Sequence, residues 1–153
     1  MRRSTARWRF TRAFDRPASI SPRRNAATLV GLDAADVVVN VAGADPVGLA
    51  RFLRTAADCA ALTTGRRVTV ANRVRRGVVG PGDPRREVAV ALERYAGITD
   101  VLMVPDDPAA IDAALASGRT LAEASPGSPA RAAIRTLAAQ VAGVPEPVRR
   151  RRR

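Results

Sequence analysis

From residue 35 onward the chain alternates short β-branched runs with longer stretches of helical period, and an acid-proline or serine-proline pair opens each stretch. Val37-Val38-Val39-Asn40-Val41 predicts a buried strand, and Asp45-Pro46 follows it. Asp45 suits an N-cap because its carboxylate accepts from free backbone N–H groups. Pro46 suits the first helical position, where a missing N–H costs nothing. Arg51, Arg54, Thr55 and Asp58 then mark a solvated face, while Leu49, Leu53, Ala56 and Ala60 form a second face directed to the core. Gly65 is expected to stop this helix.

Two further units repeat the pattern. Residues Arg67 to Arg73 read as a strand, and a glycine-rich connection from Gly77 to Gly82 leads to Asp83-Pro84. Val88, Ala91, Leu92 and Tyr95 then predict an apolar stripe. Asp100 to Pro105 form the third strand, and Asp107-Pro108 open a short helix carrying Ile111, Ala114 and Leu115 up to Gly118. Ser128-Pro129 open a last helix with Ala130, Ile134, Leu137 and Val141 inward and Gly143 as its stop.

Strands alternating with helices predict an α/β fold built on a parallel sheet. Such strands are apolar on both faces because helices cover both. About three βα units give a partial doubly wound sheet of the three-layer type, with open edges and a small core, so the body resembles half of a larger domain. In such sheets ligands bind beyond the carboxyl ends of the strands, here around 43–45, 72–76 and 105–107.

Composition then narrows the chemistry. The 153 residues carry a formal charge of +12, and all 26 basic residues are arginine. With no lysine there is no GK[ST] phosphate loop and no Schiff base, and with no histidine there is no Ser-His-Asp triad or His-ligated zinc. The single cysteine, Cys59, forms no internal disulfide and has no histidine to activate it, so it reads as a packing residue. The charge is unevenly placed. Residues 1–24 hold eight arginines against Asp15, and Arg149 to Arg153 add five more, whereas 25–148 are electroneutral. The chain therefore divides into a basic arm (1–24) expected to be disordered, an α/β body (25–143) and a Pro/Arg tail (144–153). Basic tails of this kind attract nucleic acid or anionic membrane. No apolar run reaches the length of a membrane span, and no apolar segment of secretory type follows the first arginines, which predicts a cytoplasmic protein.

The strand-end residues carry a resemblance. Arg-Arg-Asn-Ala-Ala-Thr-Leu (23–29), Ala-Asp-Val-Val-Val (35–39), Ala-Asp-Pro-Val-Gly-Leu-Ala-Arg (44–51), Val-Ala-Asn-Arg-Val-Arg (70–75), Val-Pro-Asp-Asp-Pro (104–108) and Gly-Arg-Thr-Leu-Ala-Glu-Ala-Ser-Pro-Gly-Ser-Pro (118–129) stand in a characteristic order. Together they resemble the C-terminal half of a MinD/ParA-type P-loop ATPase, nearest in flavour to the actinobacterial CpaE-like group. That group is associated with chromosome partitioning, septum siting and pilus assembly. The resemblance spans roughly residues 23–143 and implies ATP or ADP as cofactor, with Mg²⁺ in complete homologues. It implies that Asn72 reads the adenine edge, since a carboxamide offers both a donor and an acceptor. The alternative is an asparagine that satisfies turn backbone groups. Pro105 and Asp107 match the loop that packs on the base, and Asp107 also suits an N-cap before Pro108. Arg73 is implied to border the nucleotide; a solvated strand-end arginine is the alternative.

The chain departs from that family where phosphate is held. The phosphate loop aims backbone N–H groups and a lysine at the β- and γ-phosphates, and a chain without lysine supplies no such set. The segment from Gly77 to Gly82 also lacks a lysine and runs into Asp83, which repels phosphate, so it reads as a connection. The expectation is a truncated ATPase homologue that does not hydrolyse ATP alone. Its partner would be a homologous ATPase chain or the missing N-terminal half. Two other readings stay open: a regulatory or scaffold module docking on a partner ATPase, and a nucleic-acid binder acting through its arginine tails.

Overall fold

The computed structural model describes residues 26–77 and 82–143; the arm, the tail and residues 78–81 lie outside the described residues, as does the side chain of Asp58. The chain runs α1 (Ala26–Asp33), β1 (Val37–Gly43), α2 (Pro46–Leu62), β2 (Arg66–Val74), α3 (Pro84–Ala96), β3 (Val101–Pro105), α4 (Pro108–Ser117), α5 (Leu121–Ala124) and α6 (Pro129–Ala142). The fold is mixed α/β around a three-stranded parallel sheet in the order β1-β2-β3.

All four proline-marked boundaries form as their chemistry dictates. Asp45 accepts from the N–H groups of Val47 and Gly48 at 3.0 and 2.9 Å, and Asp83 accepts from Arg85 at 3.2 Å. Asp107 and Ser128 cap α4 and α6 in the same way. At the other ends, Gly97, Gly118 and Gly143 adopt left-handed conformations that let their N–H groups close the last turns of α3, α4 and α6. Gly65 has a different role from the expected stop. Helix α2 already ends at Leu62 with an extended Thr63, and a Cβ on Gly65 would lie 2.2 Å from the Ala35 carbonyl oxygen. Glycine is required there because two backbones cross.

Strand alternation divides the core into two clusters. Ala42, Ala71, Met103 and Val101 pack with Leu49 and Phe52 of α2 and with Val88 and Leu92 of α3, the last two fully buried. Val70, Val104, Val68 and Leu102 point the other way and pack with Leu121, Ala130, Ala133 and Leu137. The Arg66 guanidinium donates to the Gln140 and Val141 carbonyls, tying the start of β2 to the C-terminal end of α6.

The expectation that both strand faces are covered fails on β1, where Val39 and Val41 are exposed. A helix is about 10 Å across and strands lie about 4.8 Å apart, so α6, seated on β3 and β2, leaves that face of β1 uncovered by the described residues. Several stripe expectations also fail. Ala60, Tyr95, Ile111, Leu115 and Ile134 are exposed, whereas Phe52, outside the expected stripe, is buried. Helix α4 packs chiefly on α5, and the face bearing Ile111 and Leu115 is left uncovered by the described residues. Tyr95 instead lies beside Arg94, whose guanidinium carbon is 5.4 Å from the ring centre. Helix α1 and the single-turn α5 were not anticipated. The latter is closed by a capping box between Thr120 and Glu123.

Candidate functional site

The carboxyl ends of the strands gather the residues singled out from the sequence. Asn72 stands near the end of the central strand, half-buried, and its backbone carbonyl accepts from Ala44 N–H at 2.8 Å. Its side-chain Oδ1 accepts from the Arg73 N–H at 3.0 Å. Part of the turn-satisfying alternative is therefore realised, yet Nδ2 has no partner among the described residues and Oδ1 keeps a second lone pair.

Arg73 shows why this turn is special. Its φ of 61° is the one left-handed non-glycine conformation among the described residues, and it falls where the β2–β3 register shifts between Asn72 and Val74. A non-glycine residue held there costs on the order of 1–2 kcal/mol, so the surrounding ladder must enforce it. The bulge turns the Arg73 side chain to solvent and returns Val74 to the core. Arg73 Nε lies 3.5 Å from one oxygen of Asp106, and Arg75 Nε lies 3.7 Å from the other.

Asp106 is the residue the sequence reading missed. Its side chain is 13% exposed while its two arginine partners remain largely in solvent, and its backbone N–H donates to the Val74 carbonyl at 3.0 Å. The signal available was its place between Pro105 and Asp107, opposite a strand end rich in arginine. Pro105 closes β3 and pairs with Val74, which brings it beside the Asn72–Arg73 bulge.

Asp107 is engaged elsewhere. One carboxylate oxygen accepts from Ala110 N–H at 3.4 Å, and the other accepts from the Ser128 hydroxyl at 2.5 Å. Ser128, buried, also accepts from Arg131 N–H at 3.2 Å. Asp107 thus joins the first turn of α4 to the first turn of α6. The structure brings together Asn72, Arg73, Pro105 and Asp106, and it commits both oxygens of Asp107 to this clamp.

For phosphate the described residues offer little. Gly82 N–H, at the end of the glycine-rich connection, is already taken by Glu87 Oε1 at 2.7 Å, so a carboxylate occupies the direction an anion would need. No group of three or more His, Cys, Asp or Glu among the described residues is placed to hold a metal ion. A base edge fits the Asn72 carboxamide; a magnesium triphosphate does not fit this residue set. Cys59 is partly buried in α2. Among the described residues no helix is long and apolar enough to cross a membrane.

No protein-family model matches this chain, and no curated protein matches it.

Proposed function

We propose that this chain carries the adenine side of a nucleotide site of the MinD/ParA ATPase type, on part of a doubly wound three-layer sheet. The phosphate side would come from residues outside these 153. In this reading Asn72 offers Nδ2 and its remaining Oδ1 lone pair to the base, Pro105 supplies an apolar surface beside it, and Arg73 borders the ligand. Asp107 contributes by fixing α4 against α6. The observation that carries the reading is Asn72 at a strand carboxyl end, followed at once by the left-handed bulge at Arg73, with Nδ2 unengaged among the described residues. The process served, whether partitioning, septum siting or pilus assembly, rests on the resemblance alone, and a cytoplasmic location on the apolar patterning of the sequence.

Alone, the chain does not hydrolyse ATP, because nothing in its sequence replaces the phosphate-loop lysine. Adenosine at millimolar concentration should shift the Asn72 side-chain amide resonance, and Asn72→Ala should remove the response of neighbouring backbone amides. Equal responses in the wild type and the variant would overturn the assignment.

A second reading, a module docking on a partner ATPase, is favoured by β1. That strand pairs only with β2 among the described residues, and Val39 and Val41 are bare on one of its faces. The two readings share a partner, since a docked strand and helix would supply what the half-sheet lacks. The arginine-rich arm and tail could add attraction to nucleic acid or anionic membrane, which would weaken steeply with salt.

A further inference from the structure

A concavity lies toward the opposite end of the sheet from Asn72. It is a cavity of about 400 Å³ between α2, the C-terminal end of α3 and the sheet, within the range of small-molecule sites. Its sheet side is polar. Asn40 and Thr69 are direct register partners on β1 and β2, and Arg67 lies two residues before Thr69 on the same face. Core-facing positions of a parallel sheet are normally apolar. Thr69 is 8% exposed, and among the described residues neither its hydroxyl nor the Asn40 carboxamide has a hydrogen-bond partner. Both groups open into the cavity, so their donors and acceptors are available to whatever enters it.

The lining also defines what that would be. Phe52, Leu53, Ala56 and Ile98 form an apolar wall opposite the polar strip. Among the described residues no carboxylate lines the cavity and Arg67 has no ion-pair partner. The set is one guanidinium, one carboxamide and one hydroxyl facing hydrocarbon.

We propose that this cavity binds a small monocarboxylate with an aromatic or branched aliphatic body. The carboxylate lies along the Arg67–Thr69–Asn40 strip and accepts hydrogen bonds from all three, and the body rests on the α2 wall. The site is independent of the nucleotide reading, since no residue is shared between them.

The test uses the full chain and 3-phenylpropionate as probe, followed by amide NMR. The expected result is saturable shifts at Asn40, Thr69 and Ile98 with a midpoint below about 5 mM. Arg67→Gln, at an exposed position, should weaken binding about fivefold or more with an unchanged urea midpoint, as should replacing the probe by its neutral amide. Ala60→Leu narrows the cavity without changing any charge and should also weaken binding, which separates the cavity from general attraction to a +12 chain. Absence of saturation at about 5 mM would overturn the proposal. So would equal binding of acid and amide, or unchanged binding in Ala60→Leu.

Discussion

Ser128 and Asp107 offer the sharpest quantitative test of how the candidate loop is held. Removing the Ser128 hydroxyl by Ser128→Ala takes away the bond to Asp107 Oδ2 and the N-cap of α6 together. A hydrogen bond to a charged group contributes about 1.5–3 kcal/mol, and loss of an N-cap costs about 0.5–2 kcal/mol. Ser128 is buried, so water replaces neither interaction fully. The expected loss is about 2–4 kcal/mol, read by urea unfolding as a midpoint lowered by roughly 1–2 M. Asp107→Ala removes the same bond and the α4 cap, at a similar cost. The double variant decides the matter. If the two side chains act as one clamp, the sum of the single losses exceeds the double loss by about 1–2 kcal/mol. Additivity within about 0.3 kcal/mol would refute the clamp and return Asp107 to the candidates for direct base contact.

Gly65→Ala should destabilise by about 1–3 kcal/mol, because its Cβ meets the Ala35 and Asp36 carbonyls where the β1–β2 ladder begins. Gly31→Ala, in α1 with nothing within 4 Å, should stabilise slightly, both changes being read by urea unfolding. The Glu123 carboxyl is held below its usual value near 4.5, first by the Thr120 hydroxyl and then by the Thr120 backbone N–H. Its folded value lies below its unfolded one, so the capping-box contribution is present above the unfolded value and is lost as pH falls through the folded one. Thr120→Ala should therefore flatten the acid limb of stability below about pH 4.5 and leave the neutral range with only the loss of a cap. An unchanged acid limb would contradict this.

Local chemistry made much of the fold legible. Asp45-Pro46, Asp83-Pro84, Asp107-Pro108 and Ser128-Pro129 each announce a helix start because both residues act on backbone groups within one turn. The three strands follow from β-branched runs for the same local reason. What periodicity does not carry is what lies opposite a face. Ile111, Leu115 and Ile134 repeat at helical spacing yet remain exposed, because burial depends on a neighbour that the stripe itself does not encode. Phe52 shows the converse, an off-pattern residue drawn into the space between α2 and the sheet.

The candidate site was legible in position more than in detail. Asn72, Arg73 and Pro105 do meet at the strand ends, whereas the left-handed turn at Arg73 and the Asp106 ion pairs depend on how β2 and β3 slip in register. Asp107 matched both a base-contact reading and a capping reading, and hydrogen bonding to Ser128 from the start of α6 commits it to the second. That partner is 21 positions away, beyond the reach of any local pattern.

The central claim, a base-side half-site without its phosphate side, is tested most directly by calorimetric titration of the purified chain with ATP and with adenosine. The account predicts that ATP binds no more tightly than about 10 μM, near −7 kcal/mol, and gains no more than about threefold over adenosine. A dissociation constant for ATP below about 10 μM, or a larger preference for ATP, would contradict it by revealing a phosphate site within these 153 residues.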